Sequence, residues 1–312
     1  MKIYFDGVNW EAEHTGPNCF ARRLAIELGN LGHQLADADD YDVSLVFIEP
    51  TANLNQNLPY VLRVDGMWFS PEQHARGMNA KMADAHKNAD LVIYQSEFDR
   101  RMLTKWFGQP RTNSVIRNGI SLCDTEIRSE ALIELRQKYD KIFVCSANWH
   151  NQKRLIDNIE YFKFLKNTQY PNSCLVVMGS NPAPLLPDKS IYYTNSLRHD
   201  LCAEVYAVAD WMIHLAWLDH CPNSVVEAIS KGCPVICASE GGTRELVEPS
   251  NGVVLDDASE YKFELTDYDA PPRVPSKNYR NLPEGYRAVR STVDIKHTAK
   301  SYESALLSVV KH

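Results

Sequence analysis

The sequence predicts an α/β protein made of two consecutive parallel-sheet domains, and three observations carry that prediction. Short apolar runs alternate with helical stretches along the whole chain, which is the pattern of repeated strand–helix–strand units. The chain has 312 residues, more than the roughly 250–300 at which a single core stops growing. The alternation also starts afresh near residue 125. With 44% hydrophobic and 23% charged residues the composition is that of a globular protein.

In the first series, 2–5 is an apolar strand that ends at Asp6-Gly7. A helix over 17–31 follows from the spacing of Phe20, Leu24, Ala25, Leu28 and Leu31, with Pro17 at a tolerated first position and Gly32 as the stop. Strands are predicted at 43–48 and 60–64, a helix over 71–87, a strand at 90–94, a helix over 97–107 and a strand at 114–116. The second series places strands at 141–146, 174–178, 191–193, 211–215 and 234–238, with helices over 155–166, 200–207 and 224–231 between them. The stretch 267–284 carries Pro271, Pro272, Pro275 and Pro283 and reads as a loop or surface arm, and a last helix spans 295–310. The expected division is a first domain of 1–122 plus about 297–312, and a second of 123–296. In open α/β sheets ligands bind outside the carboxyl ends of the strands, so two such domains imply a cleft.

Charge and cysteine usage exclude several functions. The net charge is −7 and evenly spread, with 12 basic against 15 acidic side chains in residues 1–122. A nucleic-acid or anionic-membrane binder needs a concentrated positive field, so neither partner is expected. The eight cysteines form no CxxC pair and read as small core residues, and the ten histidines form no HExxH group, so no metal is expected. The start has no apolar signal core, and no stretch reaches the roughly 18 apolar residues of a membrane span. A cytoplasmic protein without stable membrane insertion is the expectation. A dinucleotide oxidoreductase is disfavoured, since no GxGxxG follows a strand.

The segment WLDHCPNSVVEAISKGCPVICASEGGTRELV, residues 217–247, carries the chemistry. Its helix is expected to start after Pro222-Asn223, with Asn223 as N-cap, and the amides of Asn223 and Ser224 with the helix dipole suit a diphosphate. Asp219 and Glu227 can both face a polyhydroxyl ligand, because a carboxylate accepts two vicinal hydroxyl hydrogen bonds. Ser224-x-x-Glu227 fits a capping box equally well, and Asp219 fits a solvated loop acid.

The whole segment resembles the family 4 (group 1) retaining glycosyltransferases of GT-B fold: an acid at Asp219, Glu227, then Gly232-Cys233-Pro234-Val235-Ile236 and Gly241-Gly242-Thr243-Arg244-Glu245. His14-Thr15-Gly16-Pro17-Asn18, Arg63-Val64-Asp65-Gly66, the run 89–96 and Ile116-Arg117-Asn118-Gly119-Ile120 fall in the family's order. The resemblance implies two Rossmann-like domains facing a central cleft, with the C-terminal helix crossing back to the first. It implies a nucleotide-diphosphate sugar as donor, a glycan or other hydroxyl acceptor, and transfer of a hexose with retention and without metal or cofactor. Glu227 then holds the ribose and Asp219 the donor sugar. Gly179, Asn195 and Leu197 lie near the base, and Asn223 and Ser224 near the diphosphate. Lys153 is the phosphate clamp, acting with Asn148, which stands where the family has arginine, and with the adjacent Arg154. On the acceptor side stand Gly16, Pro17, Asn18, Arg63 and Asp65, with Asp65, Lys153 and Asp219 as the catalytic set. Asn148 and the shortened acid Asp219 also suit a nucleotide-sugar-binding protein with little or no turnover.

Overall fold

The computed structural model describes residues 1–11, 16–55, 57–180 and 188–310. Chain order begins β1 (Lys2–Asp6), α1 (Gly16–Asn30), β2 (Gln34–Ala36), β3 (Val43–Phe47), β4 (Tyr60–Arg63), α2 (Pro71–Ala75), α3 (Ala80–Asn88), β5 (Leu91–Tyr94), α4 (Glu97–Phe107) and β6 (Asn113–Val115). It continues α5 (Glu130–Lys138), β7 (Lys141–Ser146), α6 (Leu155–Thr168), β8 (Ser173–Met178), β9 (Ile191–Asn195), α7 (His199–Val208) and β10 (Trp211–His214). Then come α8 (Asn223–Ser230), β11 (Val235–Ala238), α9 (Thr243–Val247), β12 (Gly252–Leu255) and α10 (Ile295–Val310). The α/β class predicted from the alternation is the one observed.

Among the described residues the strands form two six-stranded sheets, ordered β2-β1-β3-β4-β5-β6 and β12-β11-β10-β7-β8-β9. Neighbouring strands are parallel throughout. Helices cover both faces of such sheets, so β3, β4, β5, β10 and β11 are buried at every residue, and their sequences are predominantly apolar without alternation, broken only by Ser44, Arg63 and His214.

The chain divides into two units. The first comprises Met1–Ser121, Phe263–Thr266 and Val293–His312, the second Leu122–Lys262 and Asp267–Thr292. In the first unit α10 buries Ile295, Ala299, Tyr302, Ala305 and Leu306, one helical stripe, against α1 and the sheet, and Tyr302 meets Phe20 at 5.8 Å. The helix starts where Ile120 donates to the Val293 carbonyl (2.9 Å) and accepts from the Ile295 amide (3.0 Å). Gly119 is required there, since a Cβ would stand 2.8 Å from the Ile295 Cα.

Four details differ from the sequence reading. The predicted helix 71–87 is two helices, α2 and α3, parted at Gly77, whose φ of +72° is helix-breaking. Asn79 also turns its side chain onto the backbone of Trp68 (2.9 and 3.0 Å). The short or polar elements β2, β12, α5 and α9 have no matching prediction. Residues 263–266, expected in the second domain, belong to the first unit: the Phe263 ring packs on Phe98 (5.5 Å) and under the Arg101 guanidinium (4.3 Å), and Trp106 Nε1 donates to its carbonyl (2.9 Å). Finally, α8 begins at Asn223 itself with Pro222 in the capping position, and no side chain caps it.

If α10 is a core element of the first unit, Leu306→Ala should lower unfolding free energy in urea by about 2–5 kcal/mol. Ile133→Ala, at an exposed position of α5, should change it by no more than about 0.5 kcal/mol. Equal effects would refute this placement.

Candidate active site

In the second unit the predicted donor residues gather at the carboxyl ends of β7, β8, β9 and β10, which in a parallel sheet is the ligand-binding edge. The chain after β7 is pressed against the chain after β8. Gly179 has a φ of +110°, and a Cβ there would lie 1.8 Å from the Ala147 carbonyl oxygen, so only glycine permits the approach. Trp149 locks the two loops together, its backbone amide donating to the Ser180 carbonyl (3.0 Å) and its indole to the Met178 carbonyl (3.0 Å). Ser180 Oγ donates to Asn148 Oδ1 (2.6 Å), and the Asn148 amide group meets His150 Nε2 (3.0 Å). The Gly179 amide donates to the Asn195 carbonyl (2.8 Å), which brings the end of β9 to the same edge. Leu197 offers its carbonyl to the Cys202 thiol on α7.

Lys153 and Asp219 are brought together. Lys153 Nζ lies 2.5 Å from Asp219 Oδ2, and His214 Nε2, at the end of β10, lies 3.1 Å from the same oxygen. The other carboxylate oxygen accepts the His220 amide (3.2 Å). Burial by itself raises the Asp219 carboxyl. The Lys153 ammonium and the His214 hydrogen bond outweigh it and hold the carboxyl well below the usual range, so Asp219 is ionised. His214 moves the other way: burial lowers its basicity, Asp219 raises it, Lys153 lowers it, and the net displacement is downward.

The loop carrying Asp219 is held by backbone. Leu218 adopts a left-handed φ of 54° and its carbonyl accepts from the Tyr268 hydroxyl (2.8 Å), while the Trp217 amide donates to the Gln152 carbonyl (2.7 Å). Gly241, with a φ of +117°, lets the following turn come so near Asp219 that a Cβ would meet its carbonyl oxygen at 2.9 Å. The Gly242 amide donates to that same oxygen (2.7 Å). The glycine pair thus shapes the acid loop, and the Gly242 amide already has an acceptor within the chain.

Glu227 stands half-buried on α8 beside α7, where burial and then its carboxylate push the Cys202 thiol up to about 11. Ser224 and Glu227 occupy the second and fifth positions of α8, so they cannot form the capping box that their spacing also allowed. Asn223 and Ser224 open the first turn of α8, whose Val225 and Val226 amides donate to the Pro222 carbonyl (3.1 and 3.2 Å).

Arg154 requires correction as an anion ligand. It is buried at the left-handed start of α6 (φ 49°), forms an ion pair at 2.7 Å with the equally buried Asp257, and donates to the Leu215 carbonyl (3.3 Å). Losing that partner would leave Asp257 as an isolated buried charge, so Arg154 serves the interior. A surface hollow of about 560 Å³ beside β12, lined by Arg244, Glu248, Asp256 and Arg280 among others, contains none of the predicted residues. Its arginines are turned to Glu248 and to the Val254 carbonyl.

In the first unit Arg63 and Asp65 pair as their position at a strand end suggests, within a closed network. Arg63 donates to Asp65 and to Asn118 Oδ1 (2.9 Å), Gln95 Nε2 donates to Asp65 Oδ1 (2.7 Å) and to the Val64 carbonyl (3.1 Å), and Asn118 Nδ2 donates to Gln95 Oε1 (2.9 Å). Arg63 is shut in, with the rings of Phe20 and Phe47 at 4.6 and 5.1 Å from its guanidinium. It therefore orients Asp65, and the expectation that it lines the ligand site is corrected. Asn18 is buried and accepts the Asn9 amide (3.2 Å), Gly16 and Pro17 open α1, and His14 and Thr15 lie outside the described residues.

Sequence reasoning missed His214, Gln95 and Asn118. A histidine closing an otherwise apolar strand, five residues before the loop acid, was the available signal for the first. Among the described residues no group of three or more His, Cys, Asp or Glu side chains could hold a metal ion, and no helix is long and apolar enough to cross a membrane.

Residues 140–266 match the family model described as glycosyl transferases group 1. No curated protein matches the chain by sequence. Among solved structures, HepE from Anabaena in complex with UDP is similar at 16% identity, with 99% of this chain and 100% of that chain covered and a TM-score of 0.68. Sucrose-phosphate synthase from Thermosynechococcus elongatus is similar at 13% identity, over 97% and 98% of the two chains, with a TM-score of 0.67. A glycosyltransferase from Rickettsia africae is similar at 14% identity, over 100% and 99%, also with a TM-score of 0.67. At such identities the likeness is one of fold, and the fold is GT-B, with two Rossmann-like units.

Two outcomes are expected from this geometry. Arg63→Met leaves Asp65 without its cation inside the unit, and should lower stability by about 3–5 kcal/mol in urea unfolding; a change below about 1 kcal/mol would refute the network. A histidine whose folded-state basicity is lowered contributes stability above its unfolded pKa of about 6.5 that is lost as pH falls towards its folded value. The wild-type protein should therefore lose stability relative to His214→Gln as pH falls from about 7 to 5.5, and parallel profiles would exclude a neutral buried His214.

Proposed function

We propose that the protein is a glycosyltransferase that moves a hexose from a nucleotide-diphosphate sugar to a hydroxyl of a glycan or other acceptor, with retention and without a divalent ion. The observation that carries this reading is the ammonium of Lys153 beside the ionised Asp219, both at the carboxyl edge of the second sheet. The match of residues 140–266 to the group 1 family model supports it.

In this reading Lys153 neutralises the diphosphate as the sugar–phosphate bond breaks, the function a metal ion serves elsewhere. The first-turn amides of α8, at Asn223 and Ser224, add hydrogen-bond donors with the helix dipole behind them. Glu227 accepts the ribose hydroxyls, Asp219 faces the donor sugar, and Gly179, Asn195 and Leu197 present backbone to the base. Asn148 stays a neutral neighbour of the phosphate. Gly16, Pro17, Asn18 and Asp65 serve the acceptor, Asp65 as a charge already oriented by Arg63 and Gln95. The donor phosphate takes the proton of the acceptor hydroxyl on the same face, so the site needs no separate strong base.

The test is nucleotide release and product anomeric configuration over UDP-, GDP-, ADP- and TDP-linked hexoses in the presence of a chelator. Transfer with retention is expected for at least one donor, and Lys153→Ala should lower kcat/KM by about 100-fold or more. An inverted product, or strict dependence on manganese, overturns the mechanism. Binding of a nucleotide sugar with no transfer to any acceptor selects the alternative, a binding protein without turnover, in keeping with the neutral Asn148 and the interior Arg154.

A further inference from the structure

We propose that a nucleoside diphosphate binds to this protein with uptake of a proton from solvent, because Lys153 turns from the Asp219 oxygen it shares with His214 and the His214 imidazolium takes over that carboxylate. The inference rests on the assignment of Lys153 to the diphosphate made above.

The geometry is one carboxylate oxygen with two nitrogen partners, Lys153 Nζ at 2.5 Å and His214 Nε2 at 3.1 Å. Lys153 is the partner able to move, with a flexible four-carbon stem that is 22% exposed, whereas His214 is 4% exposed and fixed in β10. Without ligand the ammonium satisfies Asp219, so a second positive charge on the imidazole meets both burial and the lysine. An anion at Lys153 changes both terms. It draws the ammonium away from Asp219 and brings further negative charge within a side chain's length of the imidazole.

The other imidazoles of this region are His220, buried in the acid loop with its backbone amide on Asp219, and His150, whose Nε2 meets the Asn148 amide group. Among the described residues the charged groups acting on His214 are Asp219 and Lys153. Asp219 is already ionised. Cys237, in register with His214 on β11, carries a thiol that burial pushes far up and keeps neutral. Arg154, which reaches the neighbouring Leu215 carbonyl, is closed on Asp257. From α6 the side chain of Asn158 meets the Leu215 amide at 3.1 Å and bears no charge. His214 is the imidazole that shares the oxygen Lys153 leaves, so the proton from solvent lands there, and the pair changes from Lys153 ammonium–Asp219 carboxylate to His214 imidazolium–Asp219 carboxylate, with the Lys153 ammonium on the phosphate.

The experiment is calorimetric titration of the full chain with UDP at pH 7.5 in buffers of differing ionisation enthalpy. At that pH a phosphate group with a second pKa of about 6 is already ionised and takes up little itself. The heat should vary with buffer enthalpy with a slope approaching one proton taken up per site, and UDP affinity should weaken towards about tenfold per unit as pH rises above 7.5. His214→Gln should still bind UDP but lose the slope. In the wild-type protein the His214 ring resonances should move to imidazolium positions on saturation with UDP at pH 7, a readout that stands even if the variant does not fold. Binding with no proton uptake, or a slope unchanged in His214→Gln, overturns the inference while leaving Lys153 as the phosphate ligand. Absence of UDP binding overturns the assignment of Lys153, and the inference with it.

Discussion

Much of the second unit's site depends on a single carboxylate. Asp219 is largely withdrawn from water, yet it is ionised because Lys153, His214 and the His220 amide all approach it. A buried charge survives only with such compensation. The requirement reaches back into the backbone. The 217–219 loop is fixed by the Gln152 carbonyl, the Tyr268 hydroxyl and the Gly241–Gly242 turn, so several elements meet to hold one side chain.

The cations of this protein divide by burial. Arg154 and Arg63 sit beside the two candidate sites in sequence, and each is closed inside its own unit on a carboxylate, Asp257 and Asp65. Lys153 keeps partial exposure and a partner that is itself shared. A guanidinium already joined to a buried acid would leave that acid uncompensated if it moved to a ligand. An ammonium whose carboxylate has a second donor in place leaves less behind. The same physical rule thus makes two arginines structural and one lysine available.

The glycines of the family-like motif also divide by purpose. Gly179 and Gly241 are fixed by close approach to the Ala147 and Asp219 backbones, and both lie in left-handed φ space. Their part is to bring loops from neighbouring strands within hydrogen-bond distance of each other. The amide of Gly242, which a phosphate ligand could have used, is already bound to the Asp219 carbonyl.

The parallel sheets were legible in the sequence because strands buried on both faces are mostly apolar without alternation, as Val43–Phe47 and Trp211–His214 are apart from Ser44 and the closing His214. The pairing of Arg63 with Asp65 follows from two residues one strand step apart on the same face. The elements that escaped were short or polar, as in Gln34–Ala36 and Thr243–Val247, where periodicity has too few residues to register. What only the tertiary structure decided is direction: that Arg154 points inward, that Phe263–Thr266 joins the first unit, and that His214 shares an oxygen with Lys153. Spacing along a chain sets which strand end a side chain occupies. Which partner it meets there is set by residues tens of positions away, through the desolvation each charge must avoid and the carbonyls left to receive it.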